Sequence, residues 1–345
     1  MKPNVHVLMT GAGAPGAAGI IKCLLQDASI RLTIADADAN AVGKHLHQPY
    51  FTIPKAEDPS FADAILDLCV KEKVDLLLPL VTNELFPLSQ HKGRFENAGI
   101  RVLVSSYDAI RIANNKGDCF RFLNEAGIPV PQFFVANNTE EFIHAAFELG
   151  HPQRPFCFKP TVANGSRGFR IVWDSINEAE QLFDHKPYHT SITYTHAVKI
   201  LSSQPFPPLV VTEYLPGDEY SVDCVAEHGN ALLVVPRLRQ KMINGISVQG
   251  RFENDTAIIE YCAQIIKAIG LHGNIGIQVK RNAEGKPLLL EINPRVQGTI
   301  VAALGAGVNL PLLAVQNEMG MPLTEERMTV KWGVAFSRYW TEVFY

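Results

Sequence analysis

Long apolar runs are scarce in this sequence. None approaches the roughly 20 residues that a bilayer-spanning helix needs, so no membrane segment is expected. The opening segment carries one early lysine, Lys2, ahead of an apolar stretch too short for a secretion signal, and a soluble, cytoplasmic protein is the expectation. Cysteine is sparse too: the six, Cys23, Cys69, Cys119, Cys157, Cys224 and Cys262, lie scattered, mostly inside apolar runs, with no CxxC pair. That usage argues against a disulfide framework and reads as reduced core thiols. The 11 histidines include His45-x-His47 but no HExxH and no Cys/His cluster, which leaves a zinc site without support. Positive charge is also limited, with 31 Lys and Arg against 35 Asp and Glu for a net charge of −4. Without a basic field, nucleic acid is not an expected partner, and small molecules are. At 47% hydrophobic and 19% charged, the 345 residues are far too apolar for disorder and suffice for two or three globular units.

What is present starts with alternation of strand and helix. Val5 to Thr10 reads as a strand, followed by a Gly-rich turn, a helix around Ala17 to Gln26, and a strand Arg31 to Ala35 ending at Asp36. A helix near Phe61 to Glu72, the apolar run Val74 to Leu80 and a strand Arg101 to Val104 continue the pattern, which predicts a parallel, doubly wound α/β sheet. Near Asp108 the texture changes. A helix from Lys116 to Ala126 leads into Gly127-Ile-Pro-Val-Pro131, and beyond it the strands become hairpin-like, with α+β character. They are Phe156 to Thr161, Phe169 to Trp173, Val210 to Leu215, Tyr220 to Glu227 and Ala231 to Arg237. Lys186 to Pro208, rich in Thr, Ser and Pro, reads as a loop or flap. A helix from Asp255 to Ile269 precedes a last hairpin, Ile275 to Val279 and Leu288 to Ile292.

Gly11-Ala-Gly13-Ala-Pro-Gly16 fits G-x-G-x-x-G, and Asp36 stands where a ribose-binding acid would. Read alone it suggests an NAD(P)-dependent oxidoreductase. Such a turn is equally the way a strand packs closely against a helix, and no catalytic dyad follows downstream.

Stronger chemistry lies later. Lys159 interrupts the apolar strand Phe156-Cys-Phe, where an ammonium needs an anion such as phosphate unless it reaches solvent at a sheet edge. Thr161-Val-Ala-Asn-Gly165-Ser166-Arg-Gly168 follows, a small-residue loop whose free N–H groups suit phosphate oxygens. Glu213-Tyr214-Leu215-Pro-Gly-Asp-Glu219 ends a strand in a tight acidic turn: backbone near 213 to 215 suits an adenine edge, and Glu219 suits ribose hydroxyls, although an ordinary acidic turn has the same composition. A symmetric hairpin about Glu284 and Gly285 pairs Gln278 with Glu291 and puts Asn293 on the same face. Their oxygens are hard ligands suited to Mg²⁺, and Arg295 then stands beside the metal to steady a transferring phosphoryl group. Exposed polar strand positions would account for Gln278 as well, but poorly for Glu291 after Leu288-Leu-Leu290.

The ordered set Lys116, Lys159, the Gly-rich loop, Glu213-x-Leu215, Glu219, Gln278 and Glu291-x-Asn293-x-Arg295 resembles the ATP-grasp superfamily along essentially the whole chain, most of all its carbamoyl-phosphate-synthase-like group. The resemblance implies a Rossmann-like pre-ATP-grasp domain over 1–108, a small lobe with a mobile loop over 109–209, and a C-terminal lobe over 210–345. By it, Lys116 and Lys159 contact ATP phosphates and residues 161–168 close over them. Glu213, Tyr214 and Leu215 form the adenine hinge, and Glu219 holds ribose. Gln278, Glu291 and Asn293 bind two Mg²⁺ (or Mn²⁺) ions, and Arg295 faces an acyl phosphate. Many members carry Glu where this chain has Gln278. The chain is too short for a complete carbamoyl-phosphate synthase, so a lone ADP-forming ligase of a small-molecule carboxylate and an amine is expected. Substrate contacts are expected from Arg237 and Arg239, whose cations suit a carboxylate, and from Thr82-Asn83-Glu84. A homodimer is allowed by the sequence but not specified by it. The competing readings are the oxidoreductase and a catalytically silent nucleotide-binding protein.

Overall fold

The computed structural model describes residues 5–163, 165, 167–184, 190–243 and 245–345. Contacts divide the chain into two compact units, one of residues 1–113, 219–279 and 290–345, the other of residues 114–218 and 280–289. The first and third segments of the expected division therefore share a unit. The reason is packing: residues from both, such as Ile20 and Val296, or Leu32 and Leu313, belong to one apolar cluster.

The first unit begins with β1 (Val5–Thr10), α1 (Ala17–Leu24), β2 (Ile30–Asp36), β3 (Tyr50–Thr52), α2 (Phe61–Glu72), β4 (Leu76–Leu78), α3 (Thr82–Gln90), α4 (Lys92–Asn97), β5 (Arg101–Val102) and α5 (Tyr107–Asn114). The strands form an all-parallel sheet in the order β3-β2-β1-β4-β5. Every residue of β1 is buried, as a central parallel strand covered on both faces requires. Chain order reverses between β1 and β4, so the carboxyl ends of these strands form the crevice where α/β sheets take ligands.

The second unit contains α6 (Lys116–Glu125), β6 (Phe133–Ala136), α7 (Thr139–Glu148), β7 (Phe156–Pro160), β8 (Arg170–Val172), α8 (Glu178–Phe183), β9 (Ser191–Ile192), α9 (Tyr194–Leu201) and β10 (Leu209–Glu213). Its sheet runs β6-β10-β7-β8-β9, antiparallel except for β8 with β9. The expectation of a structureless loop from Lys186 to Pro208 is corrected here, since β9 and α9 lie inside it. Thr193 caps α9 by accepting from the His196 N–H at 3.3 Å, and Ala197 and Leu201, four apart, bury one face against Phe142 and Phe156. Residues 186–189 lie outside the described residues.

The first unit resumes with β11 (Glu219–Glu227), β12 (Asn230–Ile243), β13 (Ile246–Phe252), α10 (Thr256–Ile269), β14 (Gly273–Arg281), β15 (Pro287–Asn293), α11 (Leu310–Glu318), α12 (Glu325–Met328) and β16 (Ala335–Ser337), in a sheet ordered β15-β14-β11-β12-β13-β16. Strand β12 runs six residues beyond the expected end at Arg237, because it continues against β13 through Arg239, Lys241 and Met242. Asp255 caps α10, and Gly270 ends it at φ +75°, a left-handed conformation that glycine adopts without strain.

The Gly-rich turn is occupied by its own fold. The Gly13 N–H donates to Asp36 Oδ2 at 2.7 Å, and the Asp38 N–H donates to Oδ1 at 2.9 Å. The acid expected at a ribose thus closes the turn itself. A Cβ on Gly16 would overlap Gly298, and one on Gly19 would stand 2.8 Å from Val301 Cβ. Close packing accounts for these glycines without a dinucleotide, which removes the main support for the oxidoreductase reading.

Gly16→Ala is therefore expected to destabilise the protein by about 1–3 kcal/mol through overpacking. Gly93→Ala, in α4 with nothing within 4 Å of the added methyl, should be neutral or slightly stabilising. Urea midpoints test both, and equal midpoints for the two variants would contradict the packing role.

Candidate active site

In the second unit, Asn115 sets the position of Lys116. Its Oδ1 accepts from the N–H groups of Gly117 at 3.0 Å and Asp118 at 3.3 Å, starting α6 at Lys116. The Lys116 ammonium is buried and donates to the Ala163 carbonyl at 2.8 Å, so it lies against the start of the Gly-rich loop. On β7, Phe156 and Phe158 pack into the apolar cluster, and alternation sends Cys157 and Lys159 to the opposite face. Burial pushes the Cys157 thiol up to about 12, against the opposing pull of the Lys159 and Lys280 charges, which places both lysines near it. Gly165 and Gly168 have φ of +64° and +74°. Ser166, the remaining expected phosphate contact of this loop, lies outside the described residues.

Strand β10 ends at Glu213. Its carboxylate accepts from the Gln132 N–H at 2.8 Å, which fixes the strand end, while Tyr214 and Leu215 continue beyond the ladder. Lys280 lies over the Tyr214 ring at 5.3 Å, a cation–π contact. Lys280, two residues along β14 from Gln278, was not among the expected site residues.

The first unit holds the polar cluster. On β14, Gln278 stands between the buried Ile277 and Val279 and faces the other way. On β15 and just after it, Glu291, Asn293 and Arg295 alternate with the buried Ile292, Pro294 and Val296. Asn293 Nδ2 donates to Glu291 Oε1 at 3.2 Å, and Arg295 Nη2 lies 3.4 Å from Asn293 Oδ1. Arg295 also donates to Thr82 Oγ1 at 3.0 Å and to the Val296 carbonyl at 2.8 Å. Burial lowers the Arg295 pKa and Glu291 opposes the shift. Among the described residues no cluster of three or more His, Cys, Asp or Glu could hold a metal by itself. One carboxylate with amide oxygens fits Mg²⁺, which keeps waters and shares phosphate oxygens.

The expected substrate cations are placed differently. Arg237 is completely buried, donating to Thr299 Oγ1 at 2.6 Å and to Asp223 Oδ2 at 3.3 Å. Arg239 pairs with Glu219 and donates to Gln278 Oε1 at 3.1 Å. Both guanidiniums thus already have a protein carboxylate, and only Lys241 of the three neighbouring cations is exposed. The sequence could not show this, because Asp223 reaches Arg237 only through the β11–β12 pairing, which sets Arg237 across from Ser221. Glu84 is buried at the start of α3 and accepts from Thr10 Oγ1 at 2.6 Å. Burial pushes its carboxyl up to about 7, helped by Asp36 and opposed by the Thr10 hydrogen bond.

A raised carboxyl binds more protons folded than unfolded between its ordinary value and about 7, so its contribution to stability is present at low pH and is lost as pH rises through that window. Glu84→Gln should therefore gain stability relative to the parent on going from pH 5 to pH 8, by up to roughly 3 kcal/mol. Thermal midpoints of both proteins across that range provide the check, and a pH-independent difference would contradict it.

Comparison with known proteins places this geometry. A family model described as an ATP-grasp in the biosynthetic pathway with Ter operon matches residues 205–339, and one described as the PylC-like N-terminal domain matches residues 7–103. The arginine-specific carbamoyl phosphate synthase large chain of Geobacillus stearothermophilus is 25% identical over 284 residues, which span 78% of this chain and 24% of that protein. This chain thus spans about a quarter of the length of the curated relatives it matches. N5-carboxyaminoimidazole synthetase from Staphylococcus aureus superposes with a TM-score of 0.68 at 15% identity, covering 94% of this chain and 79% of that one. L-amino acid ligase from Bacillus licheniformis gives 0.64 at 16%, covering 95% and 77%. Motif order, sequence match and fold agree on a likeness to the ATP-grasp superfamily, whose family model matches residues 205–339.

Proposed function

We propose that the protein is an ADP-forming ligase that activates a carboxylate with ATP as an acyl phosphate and joins it to an amine. The observation that carries the reading is the single polar face of Glu291, Asn293 and Arg295, backed by Thr82 from the parallel-sheet domain. The superfamily relatives, among them a carbamoyl phosphate synthase and an L-amino acid ligase, support it.

Each unit carries part of the set. In the second, Lys116 and Lys159 bind phosphate oxygens, Gly165, Ser166 and Gly168 belong to the closing loop, and Glu213, Tyr214 and Leu215 supply the adenine hinge. In the first, Glu219 accepts the ribose hydroxyls, and Glu291 and Asn293 hold Mg²⁺ (or Mn²⁺). The ion, when bound, neutralises phosphate charge and polarises the transferring group. Arg295 is braced by Thr82 and by the Val296 carbonyl, so it can face developing charge without reorganising. A substrate carboxylate oxygen attacks the γ-phosphorus and ADP leaves. The amine nitrogen then attacks the acyl carbon, phosphate leaves, and the amine's proton departs to solvent. Glu84 and Thr82 contact the small-molecule substrate at the crevice between β1 and β4.

With a suitable acid, Mg-ATP and hydroxylamine, the enzyme should yield a hydroxamate and ADP, because an acyl phosphate is trapped by good nucleophiles. AMP and pyrophosphate would show adenylation instead. Glu291→Gln removes the charge of the metal pair while keeping its shape. It should cut turnover by at least two orders of magnitude and raise the Mg²⁺ requirement, as judged by ADP release against Mg²⁺ concentration. Wild-type behaviour of this variant would refute the assignment.

A further inference from the structure

At the end of β11 away from Glu219, the turn His228-Gly229 departs from the residue its backbone favours. His228 has φ +44° and Gly229 φ +87°, the left-handed pair of a two-residue hairpin turn, where Asn or Gly usually comes first. A histidine held there needs a reason. Its N–H donates to His272 Nδ1 at 3.3 Å, and its ring stacks on the His272 ring with centroids 4.2 Å apart and planes 6° apart. His272 is 3% exposed under this cover, and its Nε2 lies 2.6 Å from Glu318 Oε2 at the end of α11. Ser105 of the parallel-sheet domain fixes the His272 backbone, its Oγ donating to the carbonyl at 3.0 Å and accepting from the N–H at 2.9 Å.

These contacts assign the ring proton. Because Nδ1 accepts from an N–H, the proton of neutral His272 sits on Nε2 and is donated to Glu318. Burial pushes the Glu318 carboxyl up, but His272, Lys92 and Arg101 outweigh it and hold the carboxyl below its ordinary value. A second proton on His272 has only Nδ1 to occupy, and there it would meet the His228 N–H, donor against donor. The charges around the stack are Lys92 on α4, Arg101 on β5, Glu227 on β11 and Glu318 on α11. Helix α10 meets the turn through the Lys267 carbonyl, 3.4 Å from where a Cβ on Gly229 would stand. Two cations already face two anions, so charging both imidazoles would leave an unbalanced pair of like charges in contact. We propose that the His228–His272 stack on Glu318 is a proton-operated latch: it is closed while both rings are neutral, and it opens when a second proton on His272 expels the His228 N–H and the like-charged rings drive the turn off the segment 271–273. The Gly229 N–H bond to the Leu271 carbonyl, 2.8 Å, is released in the same step. Burial, His272 and Lys92 hold His228 below the ordinary imidazole value against the pull of Glu318 and Glu227. The folded chain therefore binds fewer protons there than the unfolded chain, so the stability due to the closed latch is full above about pH 6.5 and is lost as pH falls below it. The inference goes beyond the ligase reading and does not rest on it, since none of these residues belongs to the proposed nucleotide or substrate contacts.

Hydrogen exchange of the His228 and Gly229 amides, followed by NMR on the full chain and corrected for the intrinsic rate, reads the latch. Protection at pH 7.5 should fall by about tenfold or more at pH 5.5. His272→Asn supplies a non-titrating oxygen near the Nδ1 position and should hold that change below about twofold. Glu318→Gln keeps an acceptor but removes the anion that faces the imidazolium, so opening should move to lower pH. Equal protection at both pH values in the parent overturns the proposal, and so does an equal fall in His272→Asn. Should that variant not fold, Glu318→Gln decides, and opening at the parent's pH or above it is the overturning result. A stack with a structural role alone would lose protection on either substitution while keeping the parent's pH dependence.

Discussion

A charge carried into a folded interior must meet an opposite charge or a full set of hydrogen-bond partners, and the polar end of the β11–β15 sheet is organised by that demand. Arg237 lies fully inside and pairs with Asp223, itself completely buried. Burial raises the Asp223 carboxyl while Arg237 pulls it down, so the charge on Asp223 depends on its arginine partner. Two residues along β12, Arg239 repeats the arrangement with Glu219. The strand thereby carries two guanidiniums on one face, one sealed in the core and one beside Gln278. The sealed pair ties β12 to Thr299, only four residues beyond Arg295. The contacts that hold the core thus also hold the segment that follows Arg295.

The Gly-rich turn obeys a different constraint, that of approach. The turn after β1 must pass close to the segment 298–301, and only residues without a side chain at positions 16 and 19 let it do so. Gly11, with φ +73°, also leaves room for Val81, the residue just ahead of α3. Because Thr82 opens that helix and accepts from Arg295, glycines that look like a dinucleotide signature serve to bring the end of the parallel sheet against Arg295.

Much of this was legible. Val5–Thr10 and Phe61–Glu72 were read at their observed limits, because each combines a clear period with strong boundary residues. The polar face of β15 followed from period two alone. What escaped was long-range. Strand β13 and the continuation of β12 are rich in polar residues and are held by pairing with each other, so their apolar pattern is faint, although Asn244-Gly245 between them is a turn signal. Arg237 and Arg239 looked like free cations because their carboxylates, Asp223 and Glu219, are neighbours through the sheet and not through the chain. Helix α9 was hidden in a Thr- and Ser-rich tract whose cap, Thr193, was read as loop composition.

The same contrast explains why chemistry is easier to read here than specificity. The residues proposed to meet phosphate and metal lie on strands whose alternation is visible in sequence, so they appear as spaced polar residues. The proposed substrate contacts lie where parallel strands end, and there the decisive property is environmental. Glu84 sits beneath Thr10 with Asp36 nearby, and burial brings its carboxyl close to neutrality at about 7. Near that pH it exists in both forms, as a neutral acid that donates a hydrogen bond and as an anion that only accepts. A group of that kind favours a partner bearing both a donor and an acceptor over a fixed cation, which would demand the ionised form that burial resists. On the proposed function the choice of substrate then depends on how deeply this one side chain is buried, and burial is set by the packing of β1, β4 and α3, none of which can be read from the identity of residue 84.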